Sequence, residues 1–122
     1  MSPEDREPRA DCLFCRIVRG ELPAKTVFDD DAILAFHDIA PRSPTHILVI
    51  PKVHIGSAAD LAENDGPLLG RLFAATARIA CEQGIADAGY RLVSNVGRWG
   101  GQTVDHLHIH LMGGRPFDWP PG

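Results

Sequence analysis

Three of the six histidines stand at alternate positions within five residues, His106, His108 and His110, and the aliphatics Leu107, Ile109 and Leu111 fill the gaps. A period of two belongs to a β-strand, in which successive side chains point to opposite faces. Over 106–112 the chain is therefore expected to form a strand with three imidazoles on one face and three aliphatics entering a core on the other. Clustered imidazoles repel one another when protonated and gain nothing in packing, so a merely solvated face is a poor account of them. Nor can one metal ion easily take all three. At about 3.3 Å per residue, His106 and His110 are roughly 13 Å apart along the strand, far beyond metal–nitrogen bonds near 2 Å. Different tasks are expected of them.

The remaining pattern supplies partners for this strand. Cys12, Leu13, Phe14, Ile17 and Val18 form the stripe of a short helix that stops near Gly20 and cannot pass Pro23. Thr26 to Phe28 and Ile33 to Phe36 read as a hairpin turning at 29–31, and His46 to Ile50 as a nearly continuous apolar strand in the middle of a sheet. One helical turn is expected around Ala58 to Leu61. A long helix should begin near Asp65 with Pro67 in its first turn and end at Gly84, facing the core with Leu68, Leu69, Leu72, Phe73, Thr76, Ile79 and Ala80. Tyr90 to Ser94 is a further strand. Five strands and helices segregated in sequence indicate an α+β fold, with residues 1–10 as a disordered tail and 11–122 as a single domain.

Between the last two strands lies a loop, 95–103, carrying Asn95, Gly97, Gly100, Gly101, Gln102 and Thr103. Backbone N–H groups and short polar side chains in such a loop can cradle an anion without cations. Beside a row of histidines, this suggests phosphoryl chemistry: a neutral imidazole attacks phosphorus, a covalent intermediate forms, and water resolves it.

The segment 106–112 resembles the signature of the histidine triad superfamily of nucleotide hydrolases and transferases. Residues 11–20, 36–44 (FHDIAPRSP), 45–52 (THILVIPK), the 95–103 loop and the terminal WPPG are similar to its Hint branch, the purine nucleoside phosphoramidases. The resemblance implies a five-stranded, mostly antiparallel sheet with one long and one short helix, joined to a second sheet across a homodimer. It implies hydrolysis of adenosine or guanosine phosphoramidates, and of aminoacyl-adenylates, to the nucleoside monophosphate and an amine. His108 would be the nucleophile. His110, with Asn95, Gly101, Gln102 and Thr103, would hold the phosphate alongside His108; Thr103 stands where serine is expected. Asp38 would accept the ribose hydroxyls, and Leu13, Phe14, Ile17, Phe36, His37 and Ile39 would form the base slot. Arg98 and Trp99 are not residues the family pattern leads one to expect. A dinucleoside polyphosphate hydrolase and a nucleotide-binding interaction module with little turnover are the rival readings.

Cys12 and Cys15 open the first helix as a CxxC pair, open to three readings: a redox couple, half of a zinc site, or two small buried hydrophobes. The resemblance implies a structural zinc site completed by His46 and His106, and no organic cofactor. Cys81 is expected to be a small buried residue, and His54 is given no role.

A net charge of −4 offers no basic footprint for nucleic acid or anionic membrane. No apolar stretch approaches the ~20 residues that span a bilayer. The polar N-terminal ten residues lack the layout of a signal peptide, and three cysteines is an odd number, so a cytoplasmic protein is expected. Trp119 between Asp118 and two prolines is an unusual residue to leave in solvent. In the Hint branch this tail, 115–122, reaches the partner's site, so Trp119 is expected to shape the partner's amine-side pocket, with the long helix and an edge strand as the interface.

Overall fold

The computed structural model describes residues 6–122. Its elements run α1 (Leu13–Val18), β1 (Thr26–Asp29), β2 (Ile33–His37), β3 (Thr45–Pro51), α2 (Gly66–Glu82), β4 (Arg91–Val93) and β5 (Ile109–Gly113), with one-turn helices at Ala58–Asp60 and Glu63–Asp65 before α2. The five strands form one sheet in the order β1-β2-β3-β5-β4, and every neighbouring pair is antiparallel. The α+β reading holds. Among the described residues no helix is long and apolar enough to cross a membrane.

Local chemistry explains the elements. In the first hairpin, Asp30 Oδ1 accepts from the backbone N–H groups of Ala32 (2.8 Å) and Ile33 (2.7 Å), tying the turn with a short side chain. Strand β3, apolar at nearly every position, lies in the middle of the sheet and is buried from His46 to Pro51. Each face of the sheet has its own core. Ile33, Ala35, Ile47, Val49, Leu107, Ile109 and Leu111 pack with Leu72, Ala75, Ile79 and Ala80 of α2. Leu34, Phe36, Leu48 and Ile50 point the other way and meet Cys12, Phe14 and Cys15 of the first helical segment. Strand alternation thus sorts the apolar residues into two layers.

Four details depart from the sequence expectations. Strand β5 starts only at Ile109, because the N–H groups of His106 and Leu107 bond to Val104 and Ile55 carbonyls outside the sheet ladder. Phe73 is half exposed and Cys81 is exposed, not buried. Cys81 follows the buried Ala80 by one residue, which is about 100° around the helix and carries it off the core stripe. Of the tail expected over 1–10, residues 1–5 lie outside the described residues. From Arg6 onward the chain is tied down: the Arg6 carbonyl accepts from His54 N–H at 2.7 Å, and its guanidinium grips both oxygens of Asp65 at 2.6 and 3.0 Å.

Asp65 is buried, and its Oδ2 also accepts from Ala62 N–H at 2.9 Å. The Arg6 guanidinium, with this backbone donor, holds the carboxyl at about 2, below its ordinary 3.8. A depressed carboxylate contributes stability that is fully present above the unfolded value and is lost as pH falls through the folded one. Asp65→Asn is therefore expected to be less stable than wild type above pH ~4, with the difference shrinking as pH falls towards ~2. Urea unfolding across that range measures it, and a difference independent of pH would contradict the assignment.

Candidate active site and metal-binding cluster

The pairing of β5 with β3 sets Leu48 opposite His110 and His46 opposite Met112, so His46 and His110 are diagonal neighbours on the α1 side of the sheet. His108 follows on the same side, its ring centroid 4.9 Å from that of His110 and 5.1 Å from that of Phe14. Further along, the ring of His106 is 5.9 Å from that of Phe14. The imidazoles share one face, as alternation requires, although only His110 lies within the regular strand.

Backbone groups fix the tautomers. A carbonyl can only accept, so His108 Nδ1, 2.6 Å from the His106 carbonyl oxygen, carries a proton. In the neutral ring this leaves Nε2 as a free lone pair. His106 Nε2, 2.8 Å from the Pro51 carbonyl, likewise carries a proton, which leaves Nδ1 unprotonated. In His46 the order is reversed: Arg42 N–H donates to Nδ1 at 3.0 Å, so Nε2 bears the proton and donates it to His110 Nδ1 at 2.9 Å. His110 then presents Nε2–H outward. A nucleophilic nitrogen and a hydrogen-bond donor thus stand on adjacent alternate residues.

Burial disfavours the charged form of His110 and His46. Desolvation pushes His110 down to about 4, with His108 and His46 adding to the effect and Asp38 opposing it. His46 is lowered for the same first reason, and Asp38 Oδ2, 3.4 Å from its Nε2, partly offsets the shift.

The 95–103 loop is braced chiefly by Gln102. Its Oε1 accepts from Gly97 N–H at 2.9 Å, while Nε2 donates to the Gly56 carbonyl at 2.8 Å and to Val104 at 3.0 Å. Its own N–H bonds to the Gly97 carbonyl and that of Gly101 to Arg98, each at 3.1 Å. Gln102 was expected to donate to phosphate, yet its donors are already engaged, and the side chain instead shapes the loop. Gly100 is required sterically, since a Cβ there would meet the Val96 carbonyl oxygen at 2.3 Å. Asn95 is half-buried and Thr103 exposed.

The expected base slot divides. Phe14 and Phe36 are buried edge to face with centroids 5.5 Å apart, while Leu13 is about half exposed and Ile39 fully exposed. Ile17 is half-buried and packs on the Cys12–Phe14 core. Asp38 is half-buried, with Oδ1 accepting from Ala40 N–H at 2.8 Å. His37 does not join this group, because it pairs with Ile47, whose side chain belongs to the α2 face. Trp99 and Trp119 are both largely exposed.

A second cluster lies at the other end of the histidine row. Cys12, Cys15, His54 and His106 are all buried, and their ligand atoms lie within 4.8 Å of one another. His106 was expected here; His54 was not. The sequence reading named His46 as the fourth ligand, but His46 sits opposite Met112, six residues or roughly 20 Å along the strand from His106. His54 comes from the loop after β3, whose neighbour Ile55 bonds Leu107. The sequence signal was only a lone histidine three residues after Pro51, without periodicity.

The donors fit a tetrahedral ion. His106 Nδ1 lies 3.4 Å from Cys12 Sγ and 3.5 Å from Cys15 Sγ, and His54 Nδ1 lies 3.2 Å from Cys15 Sγ. With bonds of about 2.3 Å to sulfur and 2.0 Å to nitrogen, tetrahedral S···N edges are about 3.5 Å. The Pro51 carbonyl selects the His106 tautomer with Nδ1 free to ligate. Burial pushes the Cys15 thiol up to about 11, so a thiolate there calls for a cation beside it.

Comparison with known proteins agrees with this geometry. The HIT domain family model matches residues 19–117. An uncharacterised HIT-like protein of Synechococcus elongatus is 50% identical over 112 residues, 92% of this chain and 97% of that protein. The purine nucleoside phosphoramidase of Escherichia coli is 47% identical over 105 residues, covering 86% of this chain and 88% of its own. The crystal structure of a HIT family hydrolase from Legionella pneumophila superposes with a TM-score of 0.90 at 50% identity, covering 92% of this chain and all of that one. With a row of histidines on one face, a family model over 19–117 and relatives of this closeness, the chain belongs to the HIT family.

Proposed function

We propose that the protein hydrolyses purine nucleoside 5'-phosphoramidates to the nucleoside monophosphate and an amine, through a nucleotidyl intermediate on His108. The observation that carries this reading is the 2.6 Å bond from His108 Nδ1–H to the His106 carbonyl, which leaves Nε2 as the unprotonated nucleophile. In the first step Nε2 bonds to the α-phosphorus, the P–N bond breaks, and the amine leaves with a proton from solvent. The Nδ1–H bond to a carbonyl stabilises the positive charge that the imidazole then carries. Water next bonds to phosphorus, the Nε2–P bond breaks, and the imidazole returns to its starting state as the water's proton passes to solvent. His110 Nε2–H, the Asn95 side chain and the Thr103 hydroxyl are the donors for the phosphoryl oxygens. Asp38 receives the ribose hydroxyls, with Phe14, Phe36, Leu13, Ile17 and Ile39 around the base. The likeness to the E. coli phosphoramidase supports the substrate class.

Replacing the nucleophile should remove turnover without removing binding. His108→Ala is expected to lower the rate on adenosine 5'-phosphoramidate by on the order of 10³-fold or more while AMP still binds. Turnover preserved in the variant would overturn the role of His108. Wild type that cleaves diadenosine polyphosphates in preference, or that binds nucleotide and cleaves neither, would favour a dinucleoside polyphosphate hydrolase or a binding module instead.

For the buried Cys2His2 cluster we propose structural zinc. All four positions are protein ligands, so the ion would supply cross-linking between α1, the loop after β3 and the approach to β5, not catalysis. Protein purified without chelators is expected to carry one zinc per chain by elemental analysis. Cys15→Ser and His54→Ala should lose it and melt at lower temperature, and His46→Ala should keep it. Loss of zinc in His46→Ala with retention in His54→Ala would reverse the ligand assignment.

A second copy of the chain is part of the same reading. The three-residue edge strand β4 and the exposed Phe73 on α2 suit a two-fold contact that carries the exposed Trp119 towards the partner's site. Sedimentation is expected to give a dimer; a monomer at micromolar concentration would count against it.

A further inference from the structure

The chain leaves β5 through Gly113 and Gly114, and Gly114 has φ +88°, a conformation that L side chains rarely adopt. A Cβ there would also meet Pro44 Cβ at 2.8 Å, so the start of the C-terminal segment is pressed against the end of the loop that joins β2 to β3. Arg115 then reaches back across this contact. One guanidinium nitrogen donates to the Arg42 carbonyl at 3.1 Å and another to the Pro116 carbonyl at 3.0 Å, joining two separate segments by a planar fork. Phe117 holds the fork in place: its ring centroid lies 4.3 Å from the Arg115 guanidinium carbon and 5.0 Å from that of Arg91, which also donates to the Asp118 carbonyl at 2.7 Å.

The residue whose carbonyl Arg115 holds is the one whose N–H reaches the active site. Arg42 N–H donates to His46 Nδ1, and His46 Nε2–H donates to His110 Nδ1. We propose that Arg115 is a positioning residue: by fixing Arg42 it selects the His46 tautomer that orients His110, and so couples the seating of the C-terminal segment to the donor facing the substrate phosphate. The Arg42 carbonyl and N–H lie on consecutive peptide units joined at its Cα, so a change in the Arg42 backbone angles once the carbonyl is let go would turn the N–H away from Nδ1, allowing His46 to carry its proton there and to face His110 Nδ1 with a lone pair. Two acceptors would then oppose each other across 2.9 Å, and His110 would have to turn. Only the activity part of this inference rests on the proposed phosphoramidase reaction, and the tautomer can be observed without turnover.

The test compares wild type with Arg115→Ala, Arg115→Lys and Phe117→Ala by nitrogen-15 NMR of the imidazoles and by kinetics on adenosine 5'-phosphoramidate. Wild-type His46 should appear as the single tautomer with Nε2 protonated. Arg115→Ala and Phe117→Ala should show mixed tautomers at His46 with the folded spectrum retained, and kcat about tenfold lower with KM little changed. Arg115→Lys, which can still donate to the Arg42 carbonyl, should recover part of both. An Arg115→Ala protein that is folded and shows wild-type tautomers overturns the proposal, as does a loss of kcat with no change at His46. If wild type cleaves no phosphoramidate, the proposed reaction fails, and the tautomer measurement still decides whether Arg115 positions His46.

Discussion

The antiparallel pairing of β5 with β3, Leu48 opposite His110 and Ile47 opposite Leu111, is the constraint on which the rest depends. A slip of one residue would turn every side chain of β5 to the other face. Leu111 would leave the core built on Leu72 and Ile79, and His110 would enter it without a partner. The register is held because each error is expensive: aliphatic burial is worth about 1.5–3 kcal/mol per side chain, and an unpaired buried imidazole costs a further desolvation penalty. The same interactions that stabilise the α2 face therefore aim the histidines at α1.

Placing several imidazoles side by side creates a problem that the backbone solves. Each ring in the row has one nitrogen committed to a backbone group or to a neighbouring ring whose own tautomer is fixed: His106 to Pro51, His108 to His106, His46 to Arg42, and His110 to His46. Burial lowers His106 and His110 to about 4, so these two rings stay uncharged near neutrality. Fixed tautomers place a ring nitrogen lone pair on His108 beside an N–H on His110, the pair that the proposed phosphoryl transfer would use.

What could be read in the sequence was whatever repeats at short range. The period of two at 106–111 gave the face shared by the histidines, and the 3.6 period gave the buried Leu72, Thr76, Ile79 and Ala80 of α2. Phe73 and Cys81, on the margins of that stripe, were misplaced because periodicity locates the centre of a face better than its edge. His54 was missed for a different reason. Its partners Cys12, Cys15 and His106 are about 40 to 50 residues away in the chain, and the Leu107 N–H bond to the Ile55 carbonyl helps bring the loop after β3 against the histidine segment. Gln102 shows the same limit: as a residue type it suits phosphate, and the fold engages its amide with Gly56, Gly97 and Val104. Composition reveals which donors exist, and only the fold reveals which are engaged.

The departure of 106–108 from regular strand has a consequence for the division of labour along the row. His106 faces the Cys2His2 cluster through Nδ1, is held at Nε2 by Pro51, and offers its main-chain carbonyl to His108. In a continuous ladder that carbonyl would be free to pair with a neighbouring strand. Released from the ladder, it becomes the acceptor that fixes the neighbouring imidazole. The most buried histidine, immobilised on both ring nitrogens, thereby supplies the fixed point for the ring two residues on. A closed cluster and an open site can stand this close in sequence because alternate residues share a face while the carbonyl between them links the two. A single hydrogen bond, from His108 Nδ1–H to the His106 carbonyl, links the two.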